Sequence, residues 1–171
     1  GSAARSAIGA GRAAGAEPVL HCGAAGEGWL LVDAAARPSG LVGYYLERAG
    51  QEVRVVPDLL EAIDGEETIQ VMFGGVRGEM EALLPALVAE LGAAARVERT
   101  VYPSTGVVLL DVLDASVGKA EALRFLQERW GIAPSETLAI GDNWNDREMV
   151  ERSGLGFVMG NADPELLALG L

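Results

Sequence analysis

The sequence predicts an α/β protein with a second, α+β unit set into it. Residues 138–146, Leu-Ala-Ile-Gly-Asp-Asn-Trp-Asn-Asp, read as a short apolar strand, a sharp turn at Gly141 and a polar loop before a helical stretch at 147–152. A continuous apolar strand leading through a loop into a helix is the pattern of a parallel sheet. Residues 29–113 instead run through a strand, a helix, two strands, a second long helix and two more strands, the signature of a small unit with a partly antiparallel sheet. Half of the residues are hydrophobic but only 5% are aromatic, so the core is expected to be built from Ala, Val and Leu.

Taken in order, residues 3–15 are rich in Ala, Gly and Arg and predict a helix. Its glycines do not form a dinucleotide-binding loop, because no strand precedes them and their spacing is one place off. Pro18 to His21 is a short apolar strand, and Trp29 to Asp33 a second. Ser39 is placed to cap a helix through Leu41, Val42, Tyr45 and Leu46 that Gly50 ends. Glu52 to Val56 is rich in β-branched residues, Pro57 to Ile63 a short helix and Thr68 to Phe73 a strand. Met80, Leu83, Leu84, Leu87, Val88 and Leu91 recur at helical spacing up to Gly92, with Pro85 expected to start or kink that helix. Arg96 to Tyr102 and Gly106 to Leu113 form a hairpin about Pro103-Ser104-Thr105-Gly106. Helix 118–130 carries Leu123, Leu126 and Trp130 on one face and stops at Gly131. Phe157 to Met159 is a further strand, and Pro164 opens a last helix.

The formal net charge of −12 argues against nucleic acid or an anionic membrane as a partner, since phosphate backbones require Lys and Arg. Cys22 is the single cysteine, which leaves no internal disulfide and fits the reducing cytoplasm. His21 beside it has no second His or Cys pair with which to make a zinc site. No apolar run approaches the length of a membrane span.

Asp142, Asn143, Asn145 and Asp146 put four small polar side chains into five positions of a strand-to-helix loop. Such loops lie at the carboxyl ends of parallel strands, where ligands bind. Two carboxylates and two amides there suit a hard cation such as magnesium with a phosphate beside it. Alone, the same residues also fit a turn with a helix cap. Lys119 stands in the first turn of its helix, an unfavourable place for a cation unless it faces an anion. A solvated surface lysine is the plainer alternative. Gly118-Lys119 is not a P-loop, since the earlier glycine and the following Ser or Thr are missing.

Gly118-Lys119-Ala120-Glu121-Ala122-Leu123, then Gly141-Asp142-Asn143-Trp144-Asn145-Asp146, then Met159-Gly160-Asn161-Ala162 form an ordered set. This set resembles the haloacid dehalogenase (HAD) superfamily of phosphohydrolases, in its Cof-like, class IIB branch; Ala120 stands where that branch has glycine. The resemblance implies a partial Rossmann-like core plus an α+β cap that selects substrate. It divides the chain into a remnant of the N-terminal core at 3–28, the cap at 29–113 and the C-terminal half of the core at 114–171. It implies a magnesium-dependent phosphatase acting on a small phosphorylated metabolite, with phosphosugars the expected class. By the same resemblance Lys119 is catalytic, neutralising the nucleophile and the transferring phosphoryl group. Asn145, with Lys119, contacts the phosphate; Asp142 is a magnesium ligand and Asp146 an auxiliary metal residue. Asn161 is expected to shape the neighbouring loop, and Asn143 and Trp144 receive no catalytic role.

The family's nucleophile is the first Asp of an Asp-x-Asp motif, which becomes phosphorylated. No Asp-x-Asp pair occurs in this sequence. The resemblance therefore implies that the nucleophile lies upstream of Ala3 in an intact parent, and that this chain alone is not a competent phosphatase. The alternative is a non-catalytic cap or binding fragment. Loss of a central strand would expose apolar sheet edges, so self-association through the core half is also expected.

Overall fold

The computed structural model describes residues 1–23, 26, 28–35 and 40–171, with Gly40 and Leu41 described by backbone alone. The proposed Ser39 cap and the Leu41 side chain lie outside these described residues.

Seven helices and eight strands are found among the described residues. They are α1 (Ser2–Ala13), β1 (Val19–Cys22), β2 (Trp29–Asp33), α2 (Gly40–Arg48), β3 (Glu52–Val56), α3 (Leu59–Ala62), β4 (Thr68–Val76), α4 (Arg77–Leu91), β5 (Ala95–Tyr102), β6 (Val107–Asp114), α5 (Lys119–Trp130), β7 (Leu138–Gly141), α6 (Arg147–Arg152), β8 (Leu155–Val158) and α7 (Pro164–Leu167). Six strands make one sheet in the order β3-β2-β1-β4-β6-β5. Within that sheet, among the described residues, the β2–β3 pair alone is parallel and the other pairs are antiparallel, while β7–β8 form a separate parallel pair. The mixed α/β class and the 103–106 hairpin turn are as expected.

The division at residue 28 does not follow the sheet. β1 lies between β2 and β4, and α1 packs on α4. The cause is visible in the strand itself. Leu20 and Cys22 enter the cluster under α1 and α4, whereas Val19 enters the cluster under α2, so β1 is apolar on both faces and must be interior. Residues 2–114 therefore build one unit. A second, smaller unit follows from α5 onward.

The larger core fills the face carrying Phe73, Leu110, Val108 and Leu20, with Ile8, Leu83 and Leu87 packed onto it from α1 and α4. Helix α4 runs continuously through Pro85 from Arg77 to Leu91, where the sequence pattern suggested a start or a kink. Gly11 of α1 meets the sheet closely: a Cβ built there would stand 2.1 Å from Cε1 of the fully buried Phe73. Gly11→Ala is therefore expected to overpack the site and cost about 1–3 kcal/mol, read from urea denaturation; an unchanged midpoint would contradict this packing.

In the C-terminal unit, α5 buries Ala120 and Gln127 rather than the expected stripe, leaving Leu126 at 36% and Trp130 at 62% exposure. Leu138, Ile140, Leu155 and Phe157 present one face of the β7–β8 pair, each at least half exposed. A short parallel strand normally has both faces covered; among the described residues only the α6 face is.

Candidate functional site

The polar loop forms where β7 ends. Asp142 and Asn143 open it, a 3-10 turn at Trp144–Asp146 closes it, and α6 follows at once. Asp146 organises this turn from inside. Its side chain is 7% exposed, Oδ2 accepts the backbone N–H groups of Asp142 and Asn143, each at 3.1 Å, and Oδ1 receives the Lys119 ammonium at 2.5 Å. Gly141 makes the arrangement possible, since a Cβ there would stand 2.4 Å from the Asp146 Cβ. Lys119 also donates to Asn145 Oδ1 at 3.1 Å, and Asn145 Nδ2 donates to the Thr100 hydroxyl at 2.9 Å. Lys119 thus meets Asn145 and Asp146, 26 and 27 residues further along the chain, through direct hydrogen bonds.

Asp142 is exposed. Its carbonyl accepts the backbone N–H of Asp163 at 2.9 Å, which ties the segment after β8 to the loop. Asp163 caps α7 through Oδ1, while its Oδ2 is buried and lacks a hydrogen-bond partner among the described residues. No group of three or more His, Cys, Asp or Glu side chains that could hold a metal is present among the described residues. A cation such as magnesium fits the hard oxygen donors of this loop, but Asp142 is the carboxylate free to meet it, because both oxygens of Asp146 are already engaged.

The loop grips the free edge of the larger sheet. Asn143 is buried and its amide acts as a strand substitute: Oδ1 accepts the Val101 N–H at 2.8 Å and Nδ2 donates to the Val101 carbonyl at 2.6 Å. Arg99 reaches across the edge with both terminal nitrogens on Glu165, at 3.2 and 2.6 Å, and lies over the Trp144 ring. Arg96 bonds Glu121 and Glu148 on the other side. A cavity of about 480 Å³ remains between the edge of the larger sheet and the loop, with Thr100, Tyr102, Lys119, Asp142, Asn145 and Asn161 in its wall.

Sequence reasoning placed Lys119, Asp142, Asn145 and Asp146 at one site, and all four border or organise this cavity; Asn161, expected to shape the neighbouring loop, also stands in its wall. It gave Asn143 no catalytic role and missed Thr100 and Tyr102. The alternation of polar and apolar residues in β5 was the available signal: Arg96, Glu98, Thr100 and Tyr102 share a face at period two. That face carries buried charge as well. Asp111, opposite Glu98 in register, has its carboxyl pushed up to about 6 by burial first and by Glu98 second. Burial raises Glu98 too, opposed by Arg96 and Lys119.

Residues 47–169 match the family of haloacid dehalogenase-like hydrolases, and the chain belongs to that family. Its fold is that of subclass IIB. It superposes on a phosphatase of the superfamily from Bacteroides thetaiotaomicron with a TM-score of 0.68 at 22% identity, over 98% of this chain and 56% of that one. A subclass IIB sugar phosphatase gives a TM-score of 0.67 at 20% identity, over 95% of this chain and 56% of the other. In sequence, the chain is 34% identical over 109 residues to an HMP-PP phosphatase of Citrobacter koseri, covering 64% of this chain and 38% of that protein. It is 42% identical over 64 residues to a 5-amino-6-(5-phospho-D-ribitylamino)uracil phosphatase of Escherichia coli, covering 37% and 24% respectively. The chain thus spans about half the length of the solved structures and less of the curated relatives.

Proposed function

We propose that this chain supplies the cap and the phosphate-binding half of a magnesium-dependent phosphatase acting on small phosphate monoesters. The observation that carries this reading is the Lys119 ammonium, held by Asn145 and Asp146 beside the exposed Asp142 in a cavity walled by Thr100 and Tyr102. Residues 2–114 act as the cap, and its edge strand β5 forms one wall of the cleft. Lys119 offers a fixed positive charge to a phosphoryl oxygen, and Asn145 orients both Lys119 and Thr100. In a phosphoryl transfer, such positioned charge is the protein's main contribution. Asp142 holds the cation directly, whereas Asp146 supports it by fixing the backbone of Asp142. Magnesium bound there would neutralise charge on the phosphate. Covalent hydrolysis through an aspartyl phosphate needs a nucleophile that this sequence does not contain, so in this chain the cleft binds without turning over. Phosphosugars are the class implied by the family resemblance.

Titration of the purified chain with a phosphate monoester in the presence and absence of magnesium tests the reading. Lys119→Ala is expected to weaken binding roughly tenfold or more, the worth of a hydrogen bond to a charged group. Asp142→Ala is expected to abolish the dependence on magnesium. Ester affinity unchanged in both variants would sink the assignment, and magnesium-dependent phosphate release by the chain alone would reveal a nucleophile within it. The alternative, a non-catalytic binding fragment, predicts no phosphate release even after the upstream segment of the parent is supplied.

A further inference from the structure

We propose that the cleft continues into an aromatic subsite that takes a flat aromatic or heteroaromatic leaving group of the phosphate ester, rather than a sugar. This rests on the phosphatase reading of the Lys119 cavity and specifies its substrate class. A second cavity, of about 400 Å³, lies beside the first and shares Tyr102 with it. The sequence contains three tyrosines, and all three, Tyr44, Tyr45 and Tyr102, line this second cavity. In a chain that is only 5% aromatic, that concentration on one surface calls for a physical reason.

The route between the cavities follows the strand. Thr100 and Tyr102 lie on the same face of β5, one pleat repeat or about 7 Å apart. The Thr100 hydroxyl is bonded to the same Asn145 that receives Lys119. A phosphate at Lys119 therefore directs its ester group along β5 toward Tyr102. There Val107 and Leu109 of β6 provide an apolar floor, and α2 provides the far wall. Tyr44 is 55% exposed and Tyr102 46% exposed, so their rings offer free faces. The Arg48 guanidinium covers one face of the Tyr44 ring, 4.2 Å from its centroid, and itself adds a flat cationic surface. Aromatic faces and a guanidinium plane favour flat π systems through offset stacking and cation–π attraction. Tyr45 is fixed in the wall by its hydroxyl, 3.4 Å from His21 Nε2. A sugar ring would bring several hydroxyls against Val107, Leu109 and Ala49, where burying them without partners is unfavourable.

The test measures affinities of the purified chain, with magnesium, for phenyl phosphate, 1-naphthyl phosphate and glucose 6-phosphate. The two aromatic esters are expected to bind at least fivefold more tightly than the sugar ester. Tyr102→Ala and, on a separate element, Tyr44→Ala are each expected to bring the three affinities within about twofold of one another. Melting temperatures near that of the parent chain would exclude unfolding as the cause, since both side chains are half exposed. Equal affinity for all three esters in the unmodified chain, abolished by Lys119→Ala, would overturn the aromatic subsite while leaving the phosphatase reading standing. A preference that survives in both tyrosine variants would overturn this location for it. Failure of all three esters to bind would overturn both readings together.

Discussion

Asp146→Ala is expected to destabilise the chain by about 3 kcal/mol and to remove phosphate-ester binding. The side chain is nearly buried and serves three donors at once: the backbone N–H groups of Asp142 and Asn143 and the ammonium of Lys119. Alanine would leave two N–H groups of a tight turn without their acceptor and a cation without its counter-charge. It would also leave space against Gly141, whose missing Cβ is what admits Asp146. Asp146→Asn separates the contributions. Its amide oxygen can still accept from the backbone, but its charge is gone, so the fold should be largely retained while Lys119 loses its hold. Urea denaturation gives the first quantity and ester titration the second. A loss below about 0.5 kcal/mol for the alanine variant, the range of an ordinary surface substitution, would show that Asp146 does not organise the loop.

Asp111→Asn is expected to stabilise the chain by about 3 kcal/mol at pH 8. Folding carries this carboxyl from 3.8 up to about 6, because burial disfavours its charged form and Glu98 faces it across the β5–β6 ladder. The folded chain thus keeps a proton that the unfolded chain has already released. Stability is therefore fully present below pH 4 and declines as the pH rises from about 4 to about 6. An asparagine carries no such cost at any pH. The gain should be large at pH 8 and shrink toward zero at pH 4, measured as the difference in unfolding free energy between the two proteins. An equal gain at both pH values would assign it to new hydrogen bonding with Gln70, which already donates to Asp111 at 3.2 Å, and not to charge.

The parts of this molecule that could be read from the sequence are those whose physics is local. The 138–146 loop announces itself through an apolar run, a glycine and four polar residues, all within nine positions. The hairpin about 103–106 and helix α5 are likewise set by turn residues and caps close in sequence. What could not be read depends on which distant segments meet. Residues 18–22 look the same whether they pair with β2 and β4 or with strands of the C-terminal unit, because four apolar residues carry no address. Thr100 and Tyr102 join the site only because the loop docks on the free edge of β5, some forty residues away in sequence. The pattern Leu123, Leu126, Trp130 was periodic as a buried face should be, yet Leu126 remains 36% and Trp130 62% exposed; periodicity reports that a face is apolar, not what covers it.

The Asn143–Val101 pairing has a consequence for solubility. β5 is the terminal strand of a six-stranded sheet, and the outward N–H and C=O groups of such a strand invite a neighbouring molecule to add a strand of its own. Asn143 fills both outward positions at Val101 with one side-chain amide, and the Arg99–Glu165 fork guards the position two residues before it. The docked loop is therefore also a stopper against edge-to-edge polymerisation, with the same residues that shape the cleft keeping one molecule's sheet from growing into the next.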